Sequence, residues 1–335
     1  MSYVWNSAEI VLTLLLAAGC GVILVRKNIL HPRALSDLSR IMVSLVLPCL
    51  LFSKIIAAVS IDSFRQLWVF PVCGIAFVFA GLLLGWLVAR LCRQPELSRG
   101  FMAGMAFGNS AYIPLAIVAA IAFQNPDLFG SSDGVARGVT FISLYLVTFS
   151  PLMWLIGYPV LTHRSLKGVK LTQILPPPVI ASLSAILLGL IPFTHNLFLG
   201  ADAPLKMVHQ AAAILGQATV PLALLILGGN LAHGTHTGII KPLSLAGFSA
   251  GRFVIMPLFA LAVMLILRAA GFISSPMMAF IIVLQGCVPP GMNLVVMCQL
   301  QERNREFMAT LMFWSYLAAI PALAVWLYII MRVIS

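Results

Sequence analysis

Apolar positions gather into ten long stretches along the chain, with most charged residues at or between their ends. About 20 apolar residues cross a bilayer as one helix. On that template the pattern predicts spans at 7–26, 35–58, 67–90, 99–123, 136–160, 174–192, 207–232, 243–268, 276–301 and 306–331. The loops between them are short, and none is large enough to be a soluble domain. Lys54 falls inside the second stretch, where its long stem is expected to carry the ammonium out to the interface.

Two stretches contain residues that a continuous helix avoids. Phe107-Gly108-Asn109-Ser110-Ala111-Tyr112-Ile113-Pro114 interrupts the fourth, and Gly286-Cys287-Val288-Pro289-Pro290-Gly291-Met292-Asn293 interrupts the ninth. Proline removes a backbone donor and crowds the preceding turn. Backbone groups freed in this way are costly in lipid, so a break survives only where protein or a cavity surrounds it. Two interrupted segments in matching positions of two halves point to the binding site of a transporter.

Composition turns this pattern into a class. Of the 335 residues, 61% are hydrophobic and 9% charged, against about 25% charged in a soluble domain. The chain reads as an all-α polytopic membrane protein. No basic region followed by a small-residue cleavage site precedes residue 7, so 7–26 is expected to be the first span rather than a signal peptide. The net charge of +11 comes from basic residues spread over short loops, which argues for membrane orientation and against a nucleic-acid partner. With the N-terminus outside, thirteen of the 20 Lys and Arg residues fall on the inside and six on the outside, with Arg252 left within a helix. Both termini are therefore expected outside a cell (inner) membrane. The six cysteines lie in or at the ends of apolar runs without a C-x-x-C pair, and read as small buried residues.

The two halves resemble each other. Leu45-Val46-Leu47-Pro48 answers Ala218-Thr219-Val220-Pro221, the Asn109 break answers the Pro289 break, and Tyr145 with Pro151 answers Tyr316 with Pro321. Five spans per repeat is an odd number, so the second repeat enters the membrane inverted. The expected division is 1–160 for the first five-helix repeat, 161–173 for a cytoplasmic linker and 174–335 for the second repeat.

Four stretches carry a family resemblance: Gly108-Asn109-Ser110-Ala111-Tyr112-Ile113-Pro114, Pro177-Pro178-Val179-Ile180-Ala181, Val220-Pro221-Leu222-Ala223-Leu224-Leu225-Ile226-Leu227-Gly228-Gly229-Asn230-Leu231 and Val288-Pro289-Pro290-Gly291. In that order and spacing the chain resembles the auxin efflux carrier family, which includes plant auxin exporters and bacterial carriers of malonate, malate and related acids. The resemblance covers nearly the whole chain. It implies a scaffold from helices 1, 2, 6 and 7 and a moving transport domain from helices 3–5 and 8–10. Plant members carry a long loop between helices 5 and 6; the short linker here resembles the bacterial type.

The candidate chemistry follows from the breaks. A half-helix that starts inside the membrane offers free N–H groups and a partial positive charge. Pro114, Pro289 and Pro290 are placed to start such halves, where proline is tolerated. Two of them meeting at the midplane would favour a carboxylate. Asn109, Tyr112, Gln285 and Asn293 flank the breaks and complete the candidate substrate-binding set with Arg252. Arg252 has two readings, pairing with a second substrate carboxylate or snorkelling to the inner interface. The amides likewise either bind substrate or satisfy broken backbone.

No Asp or Glu lies central in a span, so a carboxylate proton relay is not expected. Coupling to Na⁺ held by backbone carbonyls, to H⁺ on a protonated substrate, or to nothing stays open. No cofactor is expected. Neither a nucleotide-binding G-x-x-x-x-G-K-[ST] nor a hydrolytic Ser–His or paired-Asp set occurs in the apolar runs, so an enzyme is not expected. The leading reading is a secondary carrier of a small organic anion with an elevator-type motion. Its rival is a receptor that binds a small carboxylate without moving it. Expected partners are the substrate anion, the bilayer and a second copy through the scaffold helices.

Overall fold

A computed structural model describes residues 13, 16–59, 67–129, 134–162, 177–200, 203–232, 240–291, 293–294, 297–298 and 305–334. Among these residues the regular secondary structure is all helical, apart from one isolated β-bridge. The helices are α1 (Leu16–Arg26), α2 (Pro32–Ala57), α3 (Val69–Leu91), α4 (Ser98–Ala106), α5 (Tyr112–Gln124) and α6 (Gly134–Leu161) in the first half. The second half holds α7 (Pro177–Leu190), α8 (Pro192–Leu199), α9 (Lys206–Gln217), α10 (Thr219–Ala232), α11 (Pro242–Ala269), α12 (Pro276–Cys287) and α13 (Arg305–Ile334). Among the described residues six helices are long and apolar enough to cross a membrane, or seven if the bent pair α7–α8 is one span.

Several starts follow from local chemistry. Pro32, Pro242 and Pro276 open their helices, where the missing N–H has no intrahelical acceptor to lose. His31 accepts from the Ala34 N–H at 3.1 Å, and the Ser275 hydroxyl accepts from the Met278 N–H at 3.3 Å.

The segment expected at 174–192 differs from the pattern. It stops at Leu190 and turns through 108° into α8, which the hydropathy pattern had left in a loop. Pro192 explains the corner, because the residue before a proline is pushed out of the helical region, and Ile191 sits at φ −94 and ψ 113. The segment expected at 207–232 is an apolar span over Lys206–Ile226, in which α9 runs into α10 through a turn at Ala218. The linker 161–173 lies almost wholly outside the described residues, as does the start of the first expected span.

Three spans contain a turn with one residue more than an α-turn: Met42–Val46, Met153–Gly157 and Gly251–Ile255. Each is followed by one residue and then a proline, at Leu47-Pro48, Tyr158-Pro159 and Met256-Pro257. A proline ring crowds the carbonyl four residues back and offers it no N–H. The widened turn relieves that crowding within the helix. At Pro257 the orphaned carbonyl is that of Phe253, and the Trp326 indole N–H donates to it at 2.7 Å.

Packing falls into two sets of neighbours. α2 packs on α7, α9 and α10. α3 packs on α4 and α6, α11 on α12, and α12 on α13. α6 also lies against α2 and α7, and α5 against α10. The closest approach in the second set is α3 on α4. A Cβ at Gly81 would meet the backbone of Met105 and Ala106, and one at Gly85 would meet the backbone of Phe101 and Met102. This G-x-x-x-G pair lets the two backbones touch, and in lipid such contact is what drives association.

Gly81→Leu is therefore expected to lower the melting temperature in detergent, with an overpacking cost of about 1–3 kcal/mol. Gly19→Leu is the control, since a Cβ there meets nothing within 4 Å and should leave the melt unchanged.

Candidate functional site

The two interrupted stretches meet. α4 ends at Ala106 and α5 begins at Tyr112, so Phe107–Ala111 has no helical partners. α12 ends at Cys287, and Val288–Gly291 is likewise non-helical. Each segment supplies what the other lacks. The Asn109 N–H donates to Pro289 O at 2.7 Å, and the Gly291 N–H donates to Phe107 O at 2.8 Å. These bonds close an antiparallel bridge between Gly108 and Pro290. Buried backbone polar groups must be paired somewhere, and here they pair across sequence separations of 180 and 184 residues.

Two consecutive prolines leave two carbonyls and no donors. Pro289 O is taken by Asn109, as above. Pro290 O accepts from the Tyr316 hydroxyl at 3.1 Å. That hydroxyl in turn accepts from the Asn109 side-chain NH₂ at 2.8 Å. The Asn109 carbonyl oxygen faces the other way and accepts from the Tyr112 N–H at 3.1 Å, which caps the start of α5. One buried amide thus joins α5, α13 and the Pro289-Pro290 segment.

Arg252 lies in the widened turn of α11 and is 1% exposed. Its Nε donates to Val288 O at 2.7 Å and its Nη1 to Met105 O at 2.6 Å. Both acceptors sit at helix C-terminal ends, where carbonyls lack an intrahelical donor. The snorkelling reading is overturned: the guanidinium points inward because two orphaned carbonyls hold it there. Gly108 is required beside it, since a Cβ at that position would meet the guanidinium.

Gln285, on the last turn of α12, donates its NH₂ to Ser110 O at 3.1 Å. That bond orients the amide and leaves its oxygen buried without a partner. The Ser110 hydroxyl lies beside Tyr145 but meets no partner at hydrogen-bonding geometry either. Both residues are 2% exposed. The Ile113 N–H, at the start of α5, has no acceptor among the described residues. Buried polar groups left unpaired are uncommon and ask for an explanation.

The structure brings Asn109, Gln285, Arg252, Pro289 and Pro290 to one junction, with the Tyr112 amide at its edge. Pro114 is the third residue of α5 and buried, where its missing donor costs nothing. Asn293 is exposed, beyond the junction. Sequence reading missed Tyr316 as a site residue and used it only as a mark of the repeat. Its signal was a tyrosine in a largely apolar stretch that also holds Thr310, Ser315 and Tyr328. No cluster of metal-ligating side chains occurs among the described residues.

The family profile described as membrane transport protein matches residues 7–165 and 158–327. Protein PIN-LIKES 5 of Arabidopsis thaliana is 27% identical, over 88% of this chain and 88% of its own length. Protein PIN-LIKES 3 of the same plant is 27% identical over 97% of this chain and 96% of its own. Protein ECM3 of Saccharomyces cerevisiae is 26% identical over 43% of this chain and 24% of its own.

The hydroxyl of Tyr316 is expected to hold the junction together. Tyr316→Phe strands the Asn109 NH₂ and Pro290 O, at about 1–3 kcal/mol for a buried group left unpaired. A lower melting temperature should appear together with faster hydrogen exchange at the Asn109 and Gly291 amides. Trp314→Phe on the exposed face of α13 should change neither.

Proposed function

The chain belongs to the auxin efflux carrier family of membrane transport proteins, and on that premise we propose that it is a secondary carrier of a small organic anion. The observation that supports this most directly is the junction itself. Two interrupted apolar segments cross there, a half-helix starts there with an untaken N–H, and two buried polar side-chain atoms lack partners. A carboxylate needs donors in a water-poor site, and a helix start supplies them without a basic side chain. The two orphaned atoms leave room for a further polar group on the substrate. Malonate, malate and auxin-like acids are the class that this chemistry fits.

In this reading the chain has ten spans in two inverted five-helix repeats, and the fourth and ninth are the broken crossing helices. α4 and α5 form the fourth. α12 and the helical residues from Asn293 form the ninth, and α7 with α8 supplies the sixth. The scaffold is α1, α2 and α7–α10, and the transport domain is α3–α6 and α11–α13. The two sets of packing neighbours agree with that division. The α6 and α5 contacts with α2, α7 and α10 are then the sliding surface of an elevator-type motion. Na⁺ or H⁺ coupling is a matter for the assay, and a second copy would dock through the scaffold.

Uptake into proteoliposomes, over a panel of mono- and dicarboxylates with and without Na⁺, tests the reading. Saturable flux of one acid supports it. Binding of an acid without flux would convert the carrier into a receptor. Asn109→Ala uncaps α5 and strands Tyr316. Loss of a hydrogen bond to a charged group is worth about 1.5–3 kcal/mol, so affinity for the transported acid should fall by roughly ten- to a hundredfold. A binding isotherm overlaying that of the native protein would remove Asn109 from the site.

The charge bias of the loops places both termini outside a cell membrane in this proposal. Reporter fusions after Ser335 and within 163–172 should report opposite sides, with the loop cytoplasmic. A cytoplasmic C-terminus sinks the orientation.

A further inference from the structure

Arg252 is the single fully buried side-chain charge among the described residues, and no carboxylate pairs with it. An unpaired buried charge is expensive, so something in its surroundings must favour it. Its guanidinium donates to Val288 O and Met105 O, at the C-terminal ends of α12 and α4. The aligned peptide dipoles give each such end roughly half a unit of negative charge. Two ends together come to about one unit, which one guanidinium offsets. α5 starts at the same junction, and among the described residues the partial positive charge of its N-terminus then meets no charged group, only the neutral Asn109 carbonyl oxygen. Among the described residues the Ile113 N–H there has no acceptor, and the Ser110 hydroxyl and the Gln285 oxygen have no partners. Without Arg252 the negative ends of α4 and α12 would outweigh that positive end.

We propose that Arg252 is the fixed countercharge of the junction. By neutralising two helix C-termini it leaves the site net positive, and so selects a negatively charged ligand over a neutral one of the same shape. It is a positioning residue: its guanidinium donates to the protein's own backbone, at Val288 O and Met105 O. Arginine is protonated near neutral pH, so the bias is present there. The proposal takes its substrate class from the anion-carrier reading and its residue from the junction geometry.

The test uses the full chain in detergent, with matched acid and amide probes. Indole-3-acetate is paired with indole-3-acetamide, and malonate with malonamide. The native protein should prefer an acid over its amide by about tenfold or more. Arg252→Gln keeps a hydrogen-bonding side chain and removes the charge, and should bring the pair near parity by weakening the acid alone. Arg252→Lys restores the charge and should keep the preference to within about threefold of native. A folded Arg252→Gln protein with the native preference overturns the proposal, as does an equal loss in Arg252→Lys. If Arg252→Gln does not fold, Gly108→Ala takes its place. It displaces the guanidinium from Val288 O and Met105 O, so the acid preference should fall, and a folded Gly108→Ala protein with the native preference overturns the proposal. If no acid binds the native protein, the anion-carrier reading fails, and Arg252 is read without ligand. Hydrogen exchange at the Asn109 and Gly291 amides should then be faster in Arg252→Gln than in Arg252→Lys, and equal rates overturn the role.

Discussion

Everything at the centre of this protein depends on one constraint: backbone groups released inside a membrane have no water to bind. Phe107–Ala111 and Val288–Gly291 each leave the helical path and release several such groups. Neither segment is tolerable alone. Joined by the Asn109–Pro289 and Gly291–Phe107 bonds, they satisfy each other. What remains is collected from neighbours. Tyr316 takes Pro290 O, Gln285 takes Ser110 O, and Arg252 takes Met105 O and Val288 O. The polar side chains of the junction are therefore first a repair of broken secondary structure, and the binding chemistry is what the repair leaves over.

That order explains which parts were legible in the sequence. Long spans such as α3, α11 and α13 stand out because a bilayer demands a run of apolar residues that little else in a protein resembles. The two breaks stand out because Gly, Asn and Pro are anomalous within such runs. The meeting of Gly108 with Pro290 was an inference from symmetry, and the bridge is its physical form. The corner at Ile191 was carried by Pro192 but hidden, because hydropathy alone runs on past a bend. Arg252 was visible as an anomaly with two readings. Choosing between them needs the direction of the side chain, which depends on a widened turn that no periodicity announces. Tyr316 lies 207 residues from the amide it contacts, beyond any local pattern.

Asn109 shows how a residue of the expected type at the expected place takes on more than the expected duty. Its oxygen caps α5 and its nitrogen reaches α13. A substrate carboxylate that drew on the same amide would have to exchange one of these bonds for its own. Binding at the junction is then coupled to the fit between α5, α13 and the Pro289-Pro290 segment. Occupancy of the site and the packing of the helices around it become one variable.

The widened turns before Pro48, Pro159 and Pro257 carry a consequence for how the spans meet their surroundings. Each inserts one residue into a helix that has 3.6 per turn, which rotates everything beyond it by about 100°. A span with such a turn has no single inward stripe. Its inward face lies along one meridian in one leaflet and along another in the opposite leaflet. α11 is thus two amphipathic surfaces spliced at different phases, and the splice itself, Gly251–Ile255, is where Arg252 faces inward while Val254 and Ile255 face outward.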